Sequence, residues 1–272
     1  MNEIASLKRK LDSQPAEVLT NLELYLTGSA TLQTYFEKTA PLSEVSLQSW
    51  KQVFANKDGE SKLLMTEFFD NAECDYLFRL METLALKKEP TFEMFPGKVC
   101  KMHRDVGFFS NASSGYSYAK QTSEASPLTA ELERLMQMVN TMCGSSFNGI
   151  LVNRYEPSGT INAHSDKEKE LSKDVGVVAL SIGAVRTMRF KDVLTKAEKA
   201  RLKAEKKAQP SVDVEMPDGS LMCMFGKNFQ KLYTHEIKAV ASRVFGASSS
   251  SSSKKKNEKT VRYSLTFRCH NK

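Results

Sequence analysis

The chain has 272 residues, a net charge of +7 and an apolar fraction of 40%, enough for a real core in one large or two modest domains. Its five cysteines, at 74, 100, 143, 223 and 269, form no Cys-x-x-Cys pair and are odd in number, which argues against a disulfide framework or zinc knuckle and for a reducing, intracellular setting, nucleus or cytoplasm. No apolar run suits a secretory signal or a bilayer span, so no membrane partner is expected; the positive charge fits either an acidic partner, nucleic acid first, or solubility alone.

Residues 1 to about 60 read as a helical extension of unknown role. Leu19, Leu22, Leu24 and Leu26 mix helix and strand periods, and Trp50 sits in Leu-Gln-Ser-Trp-Lys-Gln-Val-Phe, which reads as a short amphipathic helix. Leu63-Leu64-Met65 predicts a strand. Asp70 or Asn71 predicts the cap of a helix running to Leu84, with Tyr76, Leu77, Leu80 and Leu84 at helical spacing. A second helix is expected over about Thr129 to Met142, between Pro127 and Gly144.

After Gly144 the pattern turns to strands: Phe147 to Tyr155, Val175 to Ile182, Met188 to Phe190, Val212 to Met216, Ser220 to Met224, His235 to Val240 and Thr260 to Arg268. Many strands after two helices predict an α+β fold, a sandwich or barrel with helices on one side. The last strand alternates best: Val261, Tyr263, Leu265 and Phe267 face one way, and Arg262, Ser264, Thr266 and Arg268 the other. Two basic insertions interrupt the strands. One is Lys191 to Gln209, read as a solvated helix or loop; the other is the serine tract at 248 to 253 followed by Lys254, Lys255 and Lys256.

His164 and Asp166 are two apart, so an extended segment puts both on one face, where they can grip one ion. His235 begins a later strand that can meet them. Two imidazoles and one carboxylate suit a six-coordinate Fe(II) with open positions. Two arginines on the polar side of an otherwise core-like strand need anions. Either each pairs with a structural Asp or Glu, or they share an organic diacid, to which Arg is suited by its planar fork. Six residues of strand span roughly 20 Å, so both arms would have to lean inward to share one small ligand.

These motifs together resemble the AlkB family of iron and 2-oxoglutarate-dependent dioxygenases, over about Ser61 to Lys272, and most of all the duplex-DNA-repairing branch typified by AlkB homologue 2. The residues that carry the resemblance are Asn153-Arg-Tyr155, His164-Ser-Asp166, His235 after Gly219-Ser-Leu-Met222, and Arg262 with Arg268 enclosing Leu-Thr-Phe. The resemblance implies a double-stranded β-helix (jelly-roll) core over 146–272, behind a nucleotide-recognition lid with supporting helices over 61–145. It implies Fe(II) on His164, Asp166 and His235. It implies 2-oxoglutarate held by Arg262 and Tyr155 at its distal carboxylate and by Asn153 and Arg268 near the metal, with O2 as oxidant. The implied reaction removes N-methyl groups of the 1-methyladenine and 3-methylcytosine type, releasing formaldehyde, succinate and CO2.

In that family a segment before the core holds the flipped base, and its match here runs from Phe95-Pro-Gly-Lys98 through His103-Arg104 to Gly115-Tyr116-Ser117-Tyr118. Tyr116 and Tyr118 fall at the aromatic base-contacting pair, Arg104 within the segment, and Phe95 near an apolar wedge, although Pro96 stands where the wedge's bulkiest side chain would fall. Lys167-Glu168 replaces an acidic pair, and Glu168 can still accept from an exocyclic amine. Lys254 to Lys256 match a loop that grips the duplex backbone. His103 and His270 read as structural or surface residues. The expected partner is alkylated DNA or RNA, acted on by a monomer; a protein-directed hydroxylase of the same family and a non-catalytic nucleic-acid-binding module are the alternatives.

Overall fold

The computed structural model describes residues 50–56, 59–113, 115–118, 121–166, 176–240 and 259–270. The chain divides into two compact units, residues 50–128 with 146–272, and residues 1–49 with 129–145. The described part of the second unit holds one helix, which we label α2 below.

The first unit is built on strands. In chain order they are β1 (Lys51–Ala55), β2 (Lys62–Glu67), β3 (Thr91–Phe95), β4 (Lys98–Lys101), β5 (Asp105–Phe109), β6 (Gly115–Tyr118), β7 (Gln121–Glu124), β8 (Gly149–Tyr155), β9 (Ile161–His164), β10 (Val177–Gly183), β11 (Arg186–Asp192), β12 (Ser211–Met216), β13 (Ser220–Phe225), β14 (Tyr233–Ile237) and β15 (Arg262–Arg268). A seven-stranded antiparallel sheet runs β1-β2-β13-β10-β15-β8-β5, and a four-stranded one runs β12-β11-β14-β9. The last eight strands therefore divide evenly between two sheets, β8, β10, β13 and β15 in the larger and β9, β11, β12 and β14 in the smaller, the chain changing sheet at every step except the β11–β12 pairing. That is the double winding of a jelly roll, and the fold is the expected one.

Side chains fill the space inside. Ile161, Met188, Phe190 and Ile237 from the smaller sheet meet Tyr155, Val177, Ala179, Met222 and Met224 from the larger in one buried cluster. Both faces of β15 are buried. Tyr263, on the outward face, meets Phe78 edge-on at 5.4 Å between ring centroids. The polar face of β15 is thus the inner one. Gly183 turns the chain between β10 and β11 at φ +95°, where a Cβ would lie 2.3 Å from the Val261 carbonyl oxygen, so only glycine fits without displacing β15.

Helix α1 (Asn71–Glu82) begins as the sequence predicts. Asp70 Oδ1 accepts from Ala72 N and Glu73 N at 2.9 and 3.0 Å, while Glu73 Oε2 accepts from Asp70 N at 2.8 Å. This reciprocal cap contributes about 1 kcal/mol. Helix α2 (Ala130–Cys143), the described element of the other unit, starts at its Thr129 cap and ends at Gly144 in the left-handed region. Helix α3 (Lys196–Ala204) lies in the basic insertion between β11 and β12, and α4 (Phe229–Leu232) is one turn before β14.

One element differs from expectation. The Trp50 segment is not a helix: Lys51–Ala55 is the edge strand of the large sheet, paired with β2 through a register shift between Gln52 and Phe54. Phe54 packs against Phe190 and Tyr233, with centroids at 5.4 and 5.2 Å. Burial of that ring against the sheet decides the conformation over a weak helical period. The rest of 1–49 lies outside the described residues.

Candidate metal centre and co-substrate pocket

β9 and β14 are hydrogen-bonded neighbours, and their register puts His235 directly opposite His164. The two rings lie 4.3 Å apart between centroids. Asp166 follows β9 by two residues and turns into the same space, so that donor atoms of His164, Asp166 and His235 all lie within 4.8 Å of one another. His164 Nε2 is 4.0 Å from Asp166 Oδ1, and His235 Nε2 is 3.8 Å from Asp166 Oδ2.

Protonation suits a cation. His164 Nδ1 lies 2.9 Å from the Asn162 carbonyl, which can only accept, so the proton sits on Nδ1 and Nε2 keeps its lone pair. Burial, with help from Arg104 and Arg268, lowers the pKa of His164. Burial and the neighbouring His164 push His235 down to about 3. Burial alone would raise Asp166, but Arg268 and the two histidines outweigh it and hold the carboxyl well below the usual range. Two neutral imidazoles and one carboxylate are the state in which these groups bind metal, and the donor set fits Fe(II).

The loop carrying Asp166 is pinned by groups that no sequence motif flags. Gln230 Oε1 accepts from Asp166 N at 2.9 Å, and Ser165 Oγ donates to the Tyr233 carbonyl at 2.9 Å. Arg268 Nη2 donates to Asp166 Oδ1 at 2.8 Å, with both side chains almost fully buried.

Arg262 lies six residues away on the same face of β15, beside Tyr155 of β8 in register. Its guanidinium carbon stands 5.6 Å over the Tyr155 ring. The side chain is wholly buried, yet only Nη2 has hydrogen-bond partners, Ser181 Oγ at 2.9 Å and Met216 Sδ at 3.3 Å. Nε and Nη1 have none among the described residues. Burial pushes its pKa down to about 10. A buried cation with idle donors at Nε and Nη1 fits an anion such as a carboxylate. Arg268 reaches the Asp166 end, and Arg262 turns toward Ser181 and Met216.

Asn153, on the inner face of β8, accepts from Arg104 Nε at 2.8 Å, and both are buried. Phe95 is 54% exposed at the end of the β3–β4 hairpin, whose turn uses Gly97 at φ +80°. Lys98 Nζ lies 5.1 Å from its ring centroid. Tyr116 and Tyr118 lie on β6, paired with Ser123 and Gln121, and their side chains fall outside the described part. Glu168 and Lys254 to Lys256 also lie outside the described residues. His103 is exposed, while His270 is buried, stacked on Phe108 and 3.0 Å from Ser113 Oγ through Nδ1. A fourth buried arginine, Arg186, donates to the carbonyls of Glu156, Gly159 and Lys238 and ties the β8–β9 turn to the end of β14. A cavity of about 670 Å³, lined in part by Leu86, Arg154, Glu156 and Tyr263, opens on the outer face of the large sheet; Arg154 alternates there with the inward Asn153 and Tyr155.

Residues 61–268 match the 2OG-Fe(II) oxygenase superfamily. The chain belongs to that superfamily. Fe(II), 2-oxoglutarate and O2 are the cofactor, cosubstrate and oxidant the family uses, and the donor set and the idle guanidinium described above fit the first two. Within the superfamily the chain is similar to AlkB homologues. It is 30% identical over 166 residues to the DNA oxidative demethylase ALKBH2 of Mus musculus, covering 58% of this chain and 66% of that protein. With ALKBH2 of Homo sapiens the identity is 28% over 166 residues, covering 58% and 60%. The match therefore spans less than two thirds of these relatives. Among solved structures it resembles OsALKBH1, at 16% identity and a TM-score of 0.48, over 81% of this chain and 100% of that one.

Proposed function

We propose that this oxygenase removes N-methyl groups, of the 1-methyladenine and 3-methylcytosine type, from nucleic acid, with alkylated DNA as the substrate. The observation that carries the reading is the His164–Asp166–His235 cluster with the half-satisfied Arg262 buried in the same jelly roll. The likeness to DNA oxidative demethylases and the net charge of +7 support nucleic acid as the substrate class.

In this reading His164, Asp166 and His235 bind Fe(II). Arg262, beside Tyr155, takes the distal carboxylate of 2-oxoglutarate. Arg268 fixes Asp166 in the orientation that ligation needs, and Asn153 is held by Arg104 at the same end. When bound, Fe(II), 2-oxoglutarate and O2 together supply the oxidation that turns the methyl carbon into formaldehyde, with 2-oxoglutarate leaving as succinate and CO2. The protein's share is to place the methyl group and keep water out. Arg104, Tyr116, Tyr118 and Glu168 receive the flipped base, Phe95 fills the space it vacates, and Lys254 to Lys256 hold the backbone. An exposed phenylalanine at a hairpin end, beside Lys98, supports the wedge. Five free cysteines suit a reducing compartment, nucleus or cytoplasm.

The test is formaldehyde release from 1-methyladenine and 3-methylcytosine oligonucleotides, as single-stranded DNA, duplex DNA and RNA side by side, with Fe(II) and 2-oxoglutarate. DNA should be demethylated. Turnover on RNA alone would move the substrate to RNA, and no demethylation on any of the three would refute the reading.

A further inference from the structure

Strands β3 and β4 form a two-stranded ribbon that joins neither of the larger sheets. Most of it is exposed, Phe95 near its tip included. Its direction therefore depends on its stems, residues 87–90 on the way in and 102–105 on the way out. The entry stem meets β5 at the Lys87–Val106 bridge, where each amide donates to the other residue's carbonyl at 2.9 Å. Two residues on, Glu89 takes φ +36°, a left-handed conformation uncommon for a residue other than glycine. Such a conformation persists only where its surroundings over-determine it. Here Glu89 N donates to Asp105 Oδ1 at 3.1 Å, and the Glu89 carboxylate pairs with Lys101 across the base of the ribbon.

Asp105 is where both stems meet the core. It opens β5, directly opposite Arg154 of β8. Its second oxygen, Oδ2, accepts from Arg154 Nη1 at 3.2 Å, and Arg154 Nη2 donates to Glu156 Oε1 at 2.7 Å. One carboxylate thus joins the entry stem to β8. The exit stem reaches the same strand from the other side, because Arg104 Nε donates to Asn153 Oδ1 at 2.8 Å. Adjacent residues of a strand face opposite ways, so the stems grip β8 on both faces, at Asn153 within and Arg154 without. The cavity of about 670 Å³ on the outer face is lined in part by Lys88, Glu89, His103 and Asp105. Open space, not packed side chains, lies beside the stems there, which leaves the polar contacts of Asp105 to fix their angle.

We propose that Asp105 is a positioning residue for substrate capture: by joining Glu89 N to Arg154 it sets the angle of the β3–β4 ribbon, and so places Phe95 against a duplex whose methylated base enters the His164–Asp166–His235 site. This rests on the nucleic-acid reading above and adds to it the group that aims the wedge. Asp105 lies on the outer face of the sheet, away from the metal ligands, so its effect falls on capture of the duplex and leaves 2-oxoglutarate binding alone. A ribbon released at Glu89 would sample many directions, and Phe95 would reach the stack in only a fraction of them.

The experiment compares full-length wild type with Asp105→Ala and with Asp105→Asn, which keeps an oxygen for Glu89 N. Hydrogen–deuterium exchange reads the ribbon directly and needs no substrate. Formaldehyde release from 3-methylcytosine in duplex and in single-stranded DNA reads its use. In Asp105→Ala the amides of 91–101 should exchange at least about tenfold faster, while those of β10 and β15 keep wild-type rates and show that the variant is folded. The KM for duplex should rise at least about tenfold, with the KM values for single strand and for 2-oxoglutarate within about threefold of wild type. Asp105→Asn should recover most of both changes. Unchanged ribbon exchange in Asp105→Ala, equal losses on duplex and single strand, or an asparagine variant no better than alanine overturns this assignment alone. Wild type that demethylates neither oligonucleotide overturns it together with the nucleic-acid reading.

Discussion

Replacing Arg262 by Met should separate what this residue costs the fold from what it does for the cosubstrate. The guanidinium is fully buried, with partners for only one of its three nitrogens. Burial takes its pKa from 12.5 to about 10. A base with a depressed pKa in the folded state destabilises that state wherever it is charged. The cost, about 3 kcal/mol, is fully present at neutral pH and fades only as pH rises above 10. Met has similar length and no charge to bury, so the ligand-free variant should be as stable as wild type or up to about 3 kcal/mol more stable. The cosubstrate should respond in the opposite sense. Loss of a buried charge-assisted pair with its carboxylate costs about 2–5 kcal/mol, at least about a 30-fold rise in the 2-oxoglutarate KM. Urea unfolding with and without Mn(II) and 2-oxoglutarate reads both quantities: the keto acid should stabilise wild type and leave the variant unmoved. A variant that binds 2-oxoglutarate within about threefold of wild type would refute the reasoning. So would a ligand-free variant destabilised by more than about 3 kcal/mol, since Arg262 would then be satisfied by the protein itself.

Asp166→Ala should abolish turnover and also destabilise by up to about 3–5 kcal/mol in urea, because it breaks a buried ion pair with Arg268, whereas His164→Ala should abolish turnover with little loss of stability. Gln230→Ala frees the Asp166 amide and should weaken Mn(II) binding by about 10- to 100-fold by calorimetry, without touching the metal itself. Acid should destabilise the metal-free protein. His235 has its pKa lowered to about 3, so between its unfolded value near 6.5 and 3 the unfolded chain binds the extra proton. Asp166, also lowered, adds to the loss as pH falls further, and a urea midpoint that stays flat from pH 7 to 4 would contradict this assignment. Phe95→Ala should reduce activity on duplex DNA more than on single strands, as competition between the two substrates would show, because only the duplex leaves a gap to fill.

Sequence reasoning reached furthest where local pattern and burial agree. Alternation in β15 separated Arg262 and Arg268 from Tyr263 and Phe267, and the structure places those sets on its inner and outer faces. Asp70 announced α1 because capping is a contact between near neighbours. The Trp50 segment misled because an edge strand with three half-buried residues carries little periodic signal, and the ring that fixes it, Phe54, packs on Phe190 and Tyr233 far along the chain. β3, β4, β6 and β7 went unread for a similar reason, being four- or five-residue ribbons without an apolar run. At the site, the motif residues stood out by type and spacing. Ser181, Met216 and Gln230 did not, since each acts through one contact with a residue 81, 46 or 64 positions away, and nothing in their own neighbourhoods marks them. Arg186 was hidden likewise: its partners are backbone carbonyls, which every residue has.

The most direct measurement is an anaerobic titration of Fe(II) and 2-oxoglutarate into the metal-free protein, following the visible charge-transfer absorption of a keto-acid chelate of ferrous iron. Wild type should develop the band at one Fe(II) per chain. His235→Ala should bind neither ion nor keto acid in that mode, and Arg262→Met should need far more 2-oxoglutarate to reach the same absorbance. A band of full intensity in His235→Ala, or stoichiometric Fe(II) binding in wild type that yields no band on adding the keto acid, would contradict an iron held by His164, Asp166 and His235 with its cosubstrate anchored on Arg262.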